Sequence, residues 1–145
     1  MLESIDTKDY MTKRPVTFRK ETNLFDAIQI IVENRLSGAT VLDEEQRVIG
    51  VISEMDMLRA MIHVSYFHEG GGTVGDFMTG ACDMMDPHLN LIDAAQKLLN
   101  SKRRRMPIAN EAGKFVGQIS ARSILRAFLE SMGQRAANKT HRGLS

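Results

Sequence analysis

From Asn23 onward, the apolar residues Leu24, Ala27, Ile28, Ile31 and Val32 recur at the spacing of one helix face. Thr22 or Asn23 offers an N-cap, and Ser37-Gly38 ends the helix. The extended run PVTF precedes it. ATVLD and VIGVI follow as strands on either side of the charged turn DEEQR. SEMDMLRAMIHV then returns to helical spacing, with Met57, Leu58, Met61 and Ile62 on its apolar side. The order is strand, helix, strand, strand, helix.

This pattern is written twice. Gly117 minus Gly50 gives an offset of 67, and sliding the chain by 67 residues needs no gap. DYMT (Asp9–Thr12) then falls on DFMT (Asp76–Thr79), NLFDAIQ on NLIDAAQ, GVIS on GQIS and MLRAM on ILRAF. Matching blocks in one register mark an internal duplication. The second copy runs through LIDAAQKLLNS, MPIAN, EAGK, FVGQI and SARSILRAFLESM. The expected fold is α/β, a tandem pair of β-α-β-β-α units packed about a pseudo-twofold axis. Residues 1–68 make the first unit, 69–73 a glycine linker and 74–132 the second unit. Residues 133–145 have no apolar period and are expected to be a disordered tail.

Composition narrows the function. A formal charge of +1 gives no bulk polyanion-binding surface, although a local patch stays possible. Cys82 is the one cysteine, so no internal disulfide framework exists, and a reducing cytoplasm is the expected setting. The N-terminus has no apolar core of signal-peptide length. No apolar run approaches the roughly 18 residues of a membrane helix. Trp is absent and aromatics make up 6%, a poor supply of base-stacking platforms.

The chemistry concentrates in the turn GVISEMD, Gly50–Asp56, and its repeat GQISARS, Gly117–Ser123. A strand running into a helix here puts Ser53 at the N-cap and Asp56 at N3. One reading is a capping box with aspartate in place of glutamate. The other is a nucleotide handle. Free N–H groups and a hydroxyl at a helix N-terminus suit a phosphate. A carboxylate one turn inside suits the cis-diol of a ribose.

The repeated pattern resembles the cystathionine-β-synthase (CBS) domain pair, or Bateman module. The matching features are the xMT-xxP-V opening, DAIQIIVENRLSGATVLD and the Gly50–Asp56 turn, with DFMT, DAAQKLLNSKRRRMPIAN and GQIS in the second copy. The likeness covers about residues 5 to 132, with no catalytic or transport domain left over. It implies a regulatory module rather than an enzyme. Such a module binds AMP, ADP, ATP or S-adenosylmethionine in clefts between the two units, requires no cofactor, and modulates a partner protein. It also implies a homodimer, for which the second helices, MLRAMIHVSYF and ILRAFLESM, are the natural interface. In the first copy the implied contacts are Pro15, Val16 and Thr17, then Ala39 and Thr40, then Ser53 and Asp56. Ser53 would meet phosphate, Asp56 the ribose, and Val16 and Ala39 the adenine. In the second copy they are Cys82, Asp83 and Met84, then Met106 and Pro107, then Ser120. Ser123 stands where the family has an acidic or amide residue. The first site is therefore expected to be the better one.

Other features carry less. Lys102–Arg105 is the sharpest basic cluster, and Arg105 and its neighbours are candidates for a polyphosphate or for RNA. Arg122, Lys13 and Arg14 have a similar claim to an anion. A nucleic-acid binder using this stretch, or a ligand-free interaction scaffold, are the alternatives. His63 and His68 are five apart, which is not the spacing of a helical metal pair. The ten methionines read as adaptable core filler.

Overall fold

The computed structural model describes residues 1–67, 71–80 and 82–143. His68, with Glu69 and Gly70 of the expected linker, and Leu144–Ser145 of the expected tail lie outside the described residues. The packing divides the chain into two compact units. The first-repeat unit is Arg14–Cys82 with Glu111–Phe115. The second-repeat unit is Met1–Lys13, Asp83–Asn110 and the chain from Val116 on.

In the first-repeat unit, β1 (Thr17–Arg19) lies parallel to β2 (Gly38–Leu42), with Thr17 opposite Thr40. Antiparallel to β2 runs β3 (Val48–Ser53), with Gly38 opposite Ser53. Helix α1 (Leu24–Glu33) starts at Asn23, whose side chain accepts the Asp26 N–H at 3.1 Å. Helix α2 (Glu54–Phe67) leaves directly from β3. Strand β2 is buried along its whole length, and the inward faces of α1 and α2 close over it. The core joins Phe18, Leu24, Ala27, Ile31, Val41, Ile52, Met57 and Ala60.

Three local expectations are corrected. On α1, Val32 lies at the edge of the apolar stripe and is 68% exposed rather than in the core. Helix α1 ends at Glu33, not at Ser37-Gly38, and Arg35 takes the left-handed conformation (φ 53°) after it. Gly38 is instead the first residue of β2. On α2, Met57 faces the core, but Leu58, Met61 and Ile62 are about half exposed. Ala60 takes the inward place, because one small sheet offers room for a narrow apolar stripe only.

The second-repeat unit reproduces this build. Asn90 caps α4 (Leu91–Ser101), accepting the Asp93 N–H at 2.9 Å. Lys102 repeats the left-handed turn of Arg35 at φ 54°. β5 (Arg105–Ala109) pairs with β6 (Phe115–Ser120), which runs into α5 (Ala121–Gly143). The counterpart of β1 shrinks to a single parallel bridge between Met85 and Ile108. Met85, Leu91, Leu98, Met106, Ile108 and Ile119 build the core. Helix α5 continues to Gly143, through residues expected to be a disordered tail. Gln134–Lys139 contains no proline or glycine and is rich in helix formers, so backbone propensity extends the helix without an apolar face.

The opening segments exchange between the repeats. Helix α3 (Val74–Phe77) and β4 (Thr79–Gly80) begin the second copy in sequence, yet β4 pairs with β3 of the first, Thr79 opposite Val51. Correspondingly, Thr12 of the first opening pairs with Gln118 on β6. A glycine permits each approach. A Cβ on Gly50 would lie 2.5 Å from the Thr79 carbonyl oxygen, and one on Gly117 2.8 Å from that of Thr12. The repeats of the sequence and the compact units are thus different divisions of the chain.

Candidate functional site

Strand polarity gathers the first-copy candidates at one end of a sheet. The parallel strands β1 and β2 both begin there, and the antiparallel β3 ends there. Thr17 pairs with Thr40, so Val16 and Ala39 sit side by side just before them. Pro15, Val16 and Thr17 are half-buried, while Ala39 and Thr40 are buried. Ser53 and the start of α2 complete the cluster, and the Glu54 N–H donates to the Ser37 carbonyl at 3.0 Å. This clamps the helix N-terminus beside the head of β2.

Asp56 is the focus of this end. Its side chain is 4% exposed. The capping box is present: Ser53 N–H donates to Asp56 Oδ2 at 2.9 Å, and Asp56 N–H donates to Ser53 Oγ at 3.2 Å. Arg59, one turn on, forms an ion pair with Asp56 Oδ1. The Thr79 hydroxyl, brought in by the exchanged segment, lies 3.4 Å from both carboxylate oxygens. Capping therefore leaves the Asp56 carboxylate in place at this sheet end. The cap fixes a buried carboxylate at the sheet end where the backbone of β1 and β2 is also displayed.

The second copy brings its candidates from Asp83 to Ser120 together in the same way but ends on different chemistry. The Met85 N–H donates to the Pro107 carbonyl at 2.9 Å, which sets Met84 and Asp83 beside β5. Met106 and Pro107 are buried, Arg105 is half-buried, and Met84 and Asp83 are exposed. Cys82 is a half-buried thiol at the close of the first-repeat unit. Ser120 and Ser123 face each other, Oγ to Oγ, at 3.0 Å, and Ser120 Oγ accepts the Ser123 N–H at 3.2 Å. This half-box caps α5 without a carboxylate. Arg126, the counterpart of Arg59, lies over the Tyr10 ring at 5.9 Å and reaches Glu130 at 3.9 Å.

A family model described as the CBS domain matches residues 8–63 and again 74–130. The chain belongs to the CBS domain family. Its CBS pair is 31% identical to CBSX1, a chloroplastic CBS domain-containing protein of Arabidopsis thaliana, over 84% of this chain. The chain spans 63% of the length of that relative. CBSX2 of the same plant, solved in complex with AMP, is 30% identical, with a TM-score of 0.78 over 89% of this chain and 99% of that one. The CBS pair of MJ0100, solved with 5'-methylthioadenosine and S-adenosyl-L-methionine, shares the fold at 19% identity and a TM-score of 0.74, covering 88% of this chain and 98% of that one. The two-unit α/β architecture read from the repeat is thus that of CBS-pair structures.

Two partners of Asp56 escaped the sequence reading. Arg59 was signalled by its i, i+3 spacing from Asp56 on a helix. Thr79 had no local signal, because its contact depends on segment exchange. Elsewhere, Asp43 closes the β2–β3 turn by accepting the Arg47 N–H at 2.9 Å and the Glu45 N–H at 2.8 Å. The Arg47 bond foremost holds its pKa below the usual carboxylate value, with the Glu45 bond adding to it. Glu130 accepts the Tyr10 hydroxyl at 2.5 Å and raises the phenol above its ordinary 10.0. His63 packs edge-on against Phe77, with ring centroids 5.8 Å apart. Among the described residues, no cluster of His, Cys, Asp and Glu has the makings of a metal site. No described helix is long and apolar enough to cross a membrane.

Proposed function

We propose that the protein is a regulatory module that senses an adenosine-containing ligand through its first CBS copy. The observation that carries this reading is the buried Asp56 carboxylate, fixed at the sheet end where Val16, Thr17, Ala39 and Thr40 converge. An ionised carboxylate accepts two hydroxyls of a vicinal diol, a task that a serine hydroxyl performs less well. Ser53 and the N-terminus of α2 supply donors for phosphate. The AMP complex of CBSX2 supports the choice of ligand class, and AMP, ADP, ATP and S-adenosylmethionine are the candidates. In the second copy, Ser123 leaves a weaker site.

The reading includes a homodimer acting in the cytoplasm on a protein partner. Support for the dimer is that Leu58, Met61 and Ile62 of α2, and their counterparts Leu125, Phe128 and Leu129 of α5, are 45–68% exposed. Ligand binding would favour one arrangement of this assembly over another, which is how a module without catalytic groups regulates. A thermal-shift panel with AMP, ADP, ATP and S-adenosylmethionine tests the proposal. A ligand at about 100 times its Kd adds roughly 2.7 kcal/mol to the native state. That raises Tm by several degrees in a chain of this size. No shift with any of them would favour the scaffold reading. Affinity for RNA that falls steeply with salt would favour nucleic acid through Lys102–Arg105.

A further inference from the structure

We propose that Arg59 is a built-in competitor for the sugar position. Its guanidinium occupies the Asp56 carboxylate, and a ligand bearing a vicinal diol binds by displacing it. This inference rests on the reading of the first-copy turn as a ribose site.

The donors to Asp56 differ in how readily they leave. Ser53 gives a backbone N–H that is part of the helix cap and cannot withdraw without unwinding the first turn of α2. The Thr79 hydroxyl is long, at 3.4 Å to each oxygen, and neutral. Arg59 is the charged one of the three, and its side chain is 67% exposed against 4% for Asp56. The acceptor is fixed, while the donor stands on a long stem that is mostly in water. Such a pair is worth little net, because the exposed partner recovers its hydration when released. Even so, the cap N–H takes Oδ2, and the guanidinium takes Oδ1, the oxygen that the cap leaves to a diol.

The second copy supplies the control within the same chain. Arg126 holds the same helix position, but its neighbour Ser123 is neutral. It turns to Glu130 and to the face of Tyr10 instead. An arginine at this position therefore follows the nearest anion and is not locked by packing. In the first copy that anion is the carboxylate of the candidate site.

Calorimetric titration of adenosine and of 2',3'-dideoxyadenosine into the wild type, Arg59→Met, Arg59→Lys and Asp56→Ser tests this. Arg59→Met is expected to bind adenosine roughly threefold to tenfold more tightly, the span of a half-exposed charge pair. Arg59→Lys should fall between it and the wild type. Dideoxyadenosine has no diol to place at Asp56, so its affinity should be the same in the wild type and Arg59→Met. A merely structural arginine would not separate the two nucleosides. Equal or weaker adenosine binding by Arg59→Met overturns the competitor while leaving the ribose reading standing. Adenosine binding that is absent in every protein, or unchanged in Asp56→Ser, overturns the ribose reading and the competitor with it.

Discussion

The turns at Ser53–Arg59 and Ser120–Arg126 occupy the same place in two copies of one unit, yet only the first holds a carboxylate. Both cap a helix with serine, both receive an opening segment from the other repeat, and both carry an arginine one turn in. The scaffold of the turn is thus independent of its chemistry. Replacing aspartate with serine keeps half of the capping box and removes the charge. The freed arginine then finds another acid. Duplication has left one turn with a full capping box around a carboxylate and the other with a serine half-box.

The largest effect is expected where the scaffold itself is broken. Gly50→Ala drives a Cβ into the Thr79 carbonyl oxygen at 2.5 Å, an atom that cannot move without its strand. It should cost about 2 kcal/mol, read by urea denaturation, and loosen the segment that brings Thr79 to Asp56. Gly117→Ala should cost less, because its nearest contact is the flexible Met11 sulfur at 2.7 Å and the Thr12 oxygen lies at 2.8 Å. Equal costs would mean that the exchanged segments are not held by close approach at these glycines.

Asp56→Ser should cost about 1–2 kcal/mol, since the Ser53 N–H loses its acceptor and Arg59 its partner. The reverse exchange, Ser123→Asp, should complete the second capping box and add about 0.5 kcal/mol. It should also draw Arg126 away from Tyr10, a change visible in the ring resonances of Tyr10. A destabilised Ser123→Asp protein would show that the two turns differ in more than this side chain.

Tyr10→Phe has the smallest expected effect at neutral pH. The Tyr10 pKa is raised because Glu130 accepts its hydroxyl, so its contribution is complete below the ordinary value of 10.0 and is lost as pH rises through the raised one. Wild type and Tyr10→Phe should therefore differ by a constant amount from neutral pH to 10.0 and converge above it. Convergence below pH 10.0 would contradict the Tyr10–Glu130 bond.

Much of this was legible in the sequence because the signals are local and doubled. The offset of 67 paired Asn23 with Asn90 and Ser53 with Ser120, and each pair plays one role twice. Helical spacing in α1 located Leu24, Ala27 and Ile31 on the buried face, while Val32, at the edge of the same stripe, faces outward. The exchange of DYMT and DFMT was not legible, since a short strand's pattern states which face is apolar but not which strand it pairs with. Helix α1 stopped early for a similar reason: Arg35 supports a left-handed turn that glycine would have announced. The continuation of α5 to Gly143 follows from backbone propensity, which an apolar period does not record. At the site, Ser53 and Asp56 were readable as a cap and as a handle; the geometry shows the cap, and the handle is the role proposed for it.

The most direct test of the account is a calorimetric titration of AMP into the wild type and Asp56→Ser, which gives the first turn the serine pattern of the second. The account predicts one AMP per chain in the wild type and a loss of affinity of at least about tenfold in Asp56→Ser, the equivalent of 1.4 kcal/mol. The same affinity and stoichiometry in both proteins would contradict it.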